Sequence, residues 1–146
     1  MIRKMLPKDK AIYFEMSKAF YDSEAVLHRI PDENFERTFA LIMTDNPYAA
    51  GYMIEFDGNA AGYALVSLMY SNESGGLVLW IEEVYLLAAY RGSGLGKELF
   101  RFLETEYDGK AVRFRLEAEA ANEHAIGLYG YLGYEELGYV QFYKQK

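Results

Sequence analysis

The sequence predicts an α+β fold, a central and mainly antiparallel sheet flanked by helices, formed as a single domain over residues 1–146. Three observations lead there. Two helix-period segments come early, three strand-like runs then follow one another across tight turns, and helix and strand alternate in the last third of the chain.

Ile2–Leu6 reads as a short edge strand ended by Pro7. Asp9–Tyr21 reads as a helix, because Ile12, Met16 and Phe20 recur at four-residue spacing on one face. Ser23–Pro31 is an irregular connector carrying His28. A second helix is expected over Asp32–Thr44, marked by Phe35, Phe39, Ile42 and Met43 and stopped by Asn46-Pro47. The strands Ala50–Phe56 and Ala61–Tyr70 flank Asp57-Gly58-Asn59, a hairpin signal because Gly and Asn tolerate positive φ. Ser71–Gly76 is a further turn, and Leu77–Leu87 is a long third strand of the meander. Gly94–Tyr107 is a helix with Leu95, Leu99, Phe102 and Leu103 on its buried face. Over Ala111–Ala118, Val112, Phe114 and Leu116 alternate with Arg113, Arg115 and Glu117 as a strand requires. Asn122–Leu132 is a short helix, and Gly138–Lys144 is expected to be the closing strand.

Composition narrows the function. A net charge of −7 argues against nucleic acid as a partner, since phosphate binding is driven by counterions released around Lys and Arg. The absence of cysteine excludes a disulfide framework, a thiolate nucleophile and a Cys-ligated metal. His28 and His124 are too few and too isolated for a metal cluster, so no metal is expected. The N-terminal MIRKMLPKDK lacks a hydrophobic signal core, and no apolar run approaches membrane-spanning length. The expectation is a cytoplasmic protein with no membrane partner.

The most informative stretch is Tyr90-Arg-Gly-Ser-Gly-Leu-Gly-Lys97, between a strand and a helix. Glycines at 92, 94 and 96 remove Cβ atoms, so an anion can approach the main chain. The helix start adds unpaired N–H groups and the positive end of its dipole. Together they suit a phosphate or pyrophosphate, with Arg91 and Lys97 available to add charge. The spacing is not the Gly-x-Gly-x-x-Gly of a dinucleotide fold. Glu98 also follows Lys97 where a nucleoside-triphosphate loop has Ser or Thr. A purely structural turn does not need three alternate glycines before a good helix.

Arg91-x-x-Gly94-x-Gly96 resembles the Arg/Gln-x-x-Gly-x-Gly/Ala signature of the GNAT superfamily of acetyltransferases. Ile81-Glu-Glu-Val-Tyr-Leu-Leu87 looks like that family's central strand leading into the loop. Asn122-x-x-Ala125-x-x-Leu128-Tyr129-x-x-x-Gly133-Tyr134 resembles its second characteristic block. The element order agrees as well, so the resemblance covers nearly the whole chain. One departure is Ala88-Ala89, where members commonly carry a Pro that stiffens entry to the loop.

The resemblance implies acetyl-CoA as co-substrate, with its pyrophosphate on the backbone of Arg91, Gly92, Ser93, Gly94, Leu95, Gly96 and Lys97. Its pantetheine arm is then expected beside Val84, Tyr85 and Leu86, in a cleft where that strand splays from its neighbour. A backbone N–H near Leu86 would face the thioester carbonyl. Asn122 is expected to cap the last helix and to bond the pantetheine amides. Tyr129 is the family's usual general acid, and a phenol stays protonated at neutral pH.

A protonated amine cannot attack until it loses a proton, and a nearby carboxylate can both attract it and accept that proton. Glu82 and Glu83 are the candidates. Strand alternation lets only one reach the cleft, and a bulge would let both. Glu82 is preferred, because its position matches a substrate-side acid in polyamine-type members. His28, Tyr21 and Trp80 are candidate acceptor-binding residues, with Tyr70 a further aromatic. Glu117, Glu119 and Glu123 read as a solvated rim. The implied activity is acetyl transfer to a primary amine of a small molecule or peptide; oligomeric state stays open, and a homodimer through the C-terminal strands would suit the family. The alternatives are a non-catalytic acyl-CoA-sensing module of the same fold and a nucleotide-binding regulator.

Overall fold

The computed structural model describes Met1–Lys146. In chain order the elements are β1 (Ile2–Lys4), α1 (Lys10–Tyr21), α2 (Asp32–Ile42), β2 (Ala49–Phe56), β3 (Asn59–Ser71), β4 (Gly76–Leu86), α3 (Leu95–Glu106), β5 (Ala111–Leu116) and α4 (Glu123–Tyr131). The strands form one sheet in the order β1-β2-β3-β4-β5. Every neighbouring pair is antiparallel except β4 and β5, which run parallel. The crossover α3 supplies the connection that a parallel pair needs.

Each face of the sheet has its own core. Tyr52, Ile54, Val66 and Leu79 pack under Leu95, Leu99, Phe100 and Leu103 of α3, with Leu128 and Tyr129 of α4 alongside. On the other face Met53, Tyr63 and Leu65 meet Tyr13 and Met16 of α1 and Phe35 and Phe39 of α2. Burying each such side chain contributes about 1.5–3 kcal/mol, so both helix layers are held mainly by apolar area. The inward stripe of α1 runs through Tyr13, Met16, Ser17 and Phe20. It is one residue over from the expected start at Ile12, which is only partly buried.

The β2–β3 hairpin is a two-residue turn with positive φ at Asp57 (49°) and Gly58 (78°). Asn59 already pairs with Phe56 as the first residue of β3. Positive φ at both central positions is what a type I′ turn demands.

The closing strand expected at Gly138–Lys144 does not form. A strand exists by pairing, and no backbone hydrogen bond involves any residue beyond Tyr134. Tyr139, Val140, Phe142 and Tyr143 stand exposed, so the strand that would join two copies is absent from one chain.

One polar cluster ties the first strand to the first helix. Arg3 donates to both carboxylate oxygens of Asp9 at 2.7 and 2.9 Å, and its Nε donates to Glu55 at 2.8 Å. The Leu6 N–H donates to Asp9 as well, at 2.8 Å. The hydrogen bonds from Arg3 hold the Asp9 carboxyl below its usual pKa against the opposing effect of burial. A depressed carboxylate pKa stabilises the fold above the unfolded value, and that stability disappears as pH falls through the folded value. Asp9→Asn should therefore cost about 2 kcal/mol near pH 7 and less near pH 3, where the carboxyl begins to take up its proton. Urea unfolding of both proteins at the two pH values checks this. A deficit that persists undiminished in acid would assign the loss to packing instead.

Candidate active site

The site is built around a break in β4. Leu65 of β3 pairs with Glu83 and Val66 pairs with Ile81, so Glu82 has no partner and forms a bulge. A bulge sets two residues against one and resets the alternation beyond it. Ile81 faces α3, whereas Glu82 and Glu83 both turn to the α1–α2 face, and Val84 and Leu86 return to the α3 side. Pairing between β4 and β5 stops at Ile81 and Leu116, although β4 continues to Leu86. Beyond Ile81 the two strands part, and this is the splay expected beside Val84, Tyr85 and Leu86.

On the α1–α2 face the two carboxylates have different surroundings. Glu83 is enclosed, and its two oxygens accept hydrogen bonds from the hydroxyls of Tyr21 (2.5 Å) and Tyr63 (2.6 Å). Burial raises its pKa, the two phenol donors oppose the rise, and the nearby Glu82 charge adds to it. Desolvation and Glu83 itself push both tyrosine pKa values up, so both hydroxyls remain protonated donors. Glu82 is exposed and accepts from Ser67 Oγ at 2.7 Å. Both carboxylates line a groove of about 220 Å³ walled by Thr38, Leu41, Leu65 and Ser67. Another groove, of about 250 Å³, lies around Lys4, Thr44 and Lys110 and contains none of the candidate residues.

At the mouth of the splay, Gly92 and Gly94 adopt positive φ (75° and 88°), and a Cβ on either would point into open space. From Gly92 to Lys97 no backbone N–H finds an acceptor within the chain. Gly94 is the N-cap of α3, so these donors lie at the positive end of the helix dipole. Arg91 folds back and its Nε donates to the Leu86 carbonyl at 3.0 Å, tying the loop to the end of β4. The Lys97 ammonium lies 4.0 Å from the centre of the Tyr131 ring, while the Ser93 hydroxyl bonds the Tyr90 carbonyl. These donors and this open approach fit a pyrophosphate.

Tyr129 belongs to the α3 side, packed on Phe100 with ring centres 5.7 Å apart. Burial raises its pKa, so the phenol keeps its proton through neutral pH. Asn122 caps α4, its Oδ1 accepting from the Ala125 N–H at 3.2 Å. Trp80 is partly buried under the Arg115 guanidinium, 4.5 Å from the ring centre. His28 is exposed on the connector between α1 and α2 and shares no hydrogen bond with either carboxylate. The sequence reading had no place for Tyr63, Ser67 or Arg115. All three act through cross-strand register, and the bulge that sets this register has no composition signal. No group of three or more His, Cys, Asp or Glu side chains lies together as a metal site would require. No helix is long and apolar enough to cross a membrane.

A parallel strand pair that parts beside a glycine-rich helix start is a crevice at the carboxyl end of a strand, the place where open α/β sheets present their ligand sites. The chain belongs to the acetyltransferase (GNAT) family, whose model matches residues 11–134. It is 33% identical over 97 residues to a Bacillus subtilis (strain 168) protein provisionally named ribosomal protein bS18-alanine N-acetyltransferase. That match covers 66% of this chain and 60% of the relative. The thialysine N-epsilon-acetyltransferase of Mus musculus is 32% identical over 77 residues, covering 52% of this chain and 45% of the relative. The chain thus spans less than two thirds of these relatives. Among solved structures, the aminoglycoside N-acetyltransferase AAC(6')-Iy in complex with CoA superposes with a TM-score of 0.82 at 21% identity. All of this chain and 94% of that one are covered, a likeness of fold.

The opposing influences on Glu83 can be separated. Tyr63→Phe removes a donor that favours the ionised form, so Glu83 should titrate at a higher pH. Glu82→Gln removes a like charge and should move Glu83 the other way. Site-specific carbon-13 shifts of the Glu83 carboxyl check both directions. An unmoved titration in both variants would mean that burial alone sets it.

Proposed function

We propose that the chain is an N-acetyltransferase that moves an acetyl group from acetyl-CoA to a primary amine on a small molecule or peptide. The observation that carries this reading is a juxtaposition across one parting of strands. Acceptor-free backbone N–H groups at Gly92–Lys97 stand at its mouth, and the buried carboxylate of Glu83 stands on the opposite face. The relatives support it, since the names of those described above are all N-acetyltransferases.

In this reading the backbone from Arg91 to Lys97 holds the pyrophosphate, and Val84, Tyr85 and Leu86 flank the pantetheine arm with Asn122 nearby. Acetyl-CoA, when bound, supplies the thioester carbonyl whose C–S bond breaks as the new C–N bond forms. Glu82, exposed at the groove, draws in the ammonium and keeps the attractive role that the sequence suggests for it. Glu83 takes the proton, because burial brings its basicity closer to the amine it serves. Tyr129, on the α3 side, gives a proton to the departing sulfur. Tyr21 orients Glu83 and borders the acceptor, and His28 lies at the outer rim of that approach. The acceptor is a cation, and nucleic acid is disfavoured by the acidic surface.

Two experiments test the assignment. CoA at saturating concentration should raise the melting temperature of the wild type by mass action. Gly94→Val should abolish that shift, because a β-branched residue is strained at this positive φ and projects where the anion approaches. No shift with the wild type would remove the cofactor assignment.

In steady-state assays, Glu83→Gln and Tyr129→Phe should each lower kcat by about a hundredfold while keeping the CoA shift. Glu82→Gln should act mainly on the acceptor KM. The activity should fall on the acid side as Glu83 takes up a proton, at a pH above the ordinary carboxylate range. The wild-type rate in Glu83→Gln would return the role of base to Glu82 or to a water chain.

A further inference from the structure

The face that carries the two carboxylates also carries a cation without an acid. Ion pairs are formed by Arg3, Lys10, Lys18, Arg29 and Arg113, and Arg115 of β5 is in none of them. Its contact is with Trp80, whose ring its guanidinium covers at 4.5 Å. Register fixes where this cation lies. Arg115 pairs with Trp80 and Trp80 pairs with Ser67, whose hydroxyl binds Glu82. Side chains at paired positions share a face. Arg115, Trp80 and Ser67 therefore form one row across the α1–α2 side, and Glu82 and Glu83 follow Trp80 along β4 on the same face. Arg115 sits one pair before the last β4–β5 pairing, at Ile81 and Leu116, which is the closed end of the splay.

The guanidinium lies over the Trp80 ring, and its N–H groups are in no ion pair. The N–H edge of a guanidinium matches a carboxylate with two parallel hydrogen bonds. The backbone positions of Trp80 and Glu83 are roughly 10 Å apart at strand rise. An amine held at Glu83 would then carry its own anionic group toward Arg115.

We infer that the acceptor is a zwitterion, an aliphatic amine joined by a short carbon chain to a carboxylate that Arg115 binds over Trp80. This rests on the acetyltransferase reading and names its substrate class. The same face disfavours a polyamine, because a second ammonium laid along it meets the guanidinium charge.

Matched acceptors test the inference, with free thiol released from acetyl-CoA as the readout. Lysine is compared with cadaverine, 6-aminohexanoate with pentylamine, and 5-aminopentanoate with butylamine. Each pair differs only in the carboxylate. In the wild type the acid of at least one pair should show kcat/KM about tenfold or more above its partner, through KM. In Arg115→Gln the two members should converge to within about twofold. Arg115→Lys, which keeps charge without the fork, should fall between. Equal use of both members by the wild type would overturn the inference, as would a parallel fall for both in Arg115→Gln. Acetylation of none of these acids while CoA still raises the melting temperature would overturn it too. Absence of the CoA shift would instead strike the acetyltransferase reading, and this inference with it.

Discussion

The unpaired Glu82 in β4 is the constraint on which the rest of the site depends. One extra residue in a strand changes which face every later side chain takes. Without it, Glu83 would point at α3 and lose Tyr21 and Tyr63, while Val84 and Leu86 would point at α1. With it, two consecutive carboxylates share a face, and the strand ahead of them is free of β5. The acidic pair and the aliphatic wall beside the cleft follow from one irregularity. It lies midway along the longest antiparallel pairing of the sheet, between β3 and β4, where ladders on both sides hold it in place.

The two faces then carry opposite electrostatics. On the α3 side, amides without acceptors and a helix dipole favour an anion. On the α1 side, Glu82 and Glu83 favour a cation. The strand between them keeps the two kinds of charge from pairing with each other. Glu83 shows how finely such a group is held. Burial raises its pKa, and the two phenol donors oppose that rise by favouring the anion. Tyr63, fully buried, supplies one donor, while Tyr21, partly buried at the end of α1, supplies the other.

Most of the architecture was legible because it is written in local signals. Helix faces, the Asp57-Gly58 turn and the glycine loop each depend on residues adjacent in sequence. The family was legible for the same reason, since its signatures are short. The partners of the carboxylates were not, because Tyr63 and Ser67 meet them only through cross-strand register. Alternation predicts that Glu82 and Glu83 diverge, and the bulge overrides it. The last strand failed for a different reason. Gly138–Lys144 has the composition of a strand, but composition does not supply a neighbouring edge, and the residues that look like a strand stand in solvent.

Several departures from ordinary pairing lie at this cleft. Away from it, Arg3, Asp9 and Glu55 satisfy one another fully, as a structural cluster should. At the cleft a carboxylate is buried, a run of backbone amides has no acceptor, and a guanidinium has no acid. Burial of the carboxylate costs desolvation, which its two phenol donors offset in part. Each of the three has a chemical complement: an ammonium, a pyrophosphate and a carboxylate. Three such groups around one opening, amides on the α3 side and a carboxylate and a guanidinium on the α1 side, describe ligands more specifically than any one of them does. The fold does not pair Arg115 with Glu82, which lies two residues beyond Trp80 along the neighbouring strand. It leaves them apart, and that separation is the feature that sets the length and the charge of what can lie between them.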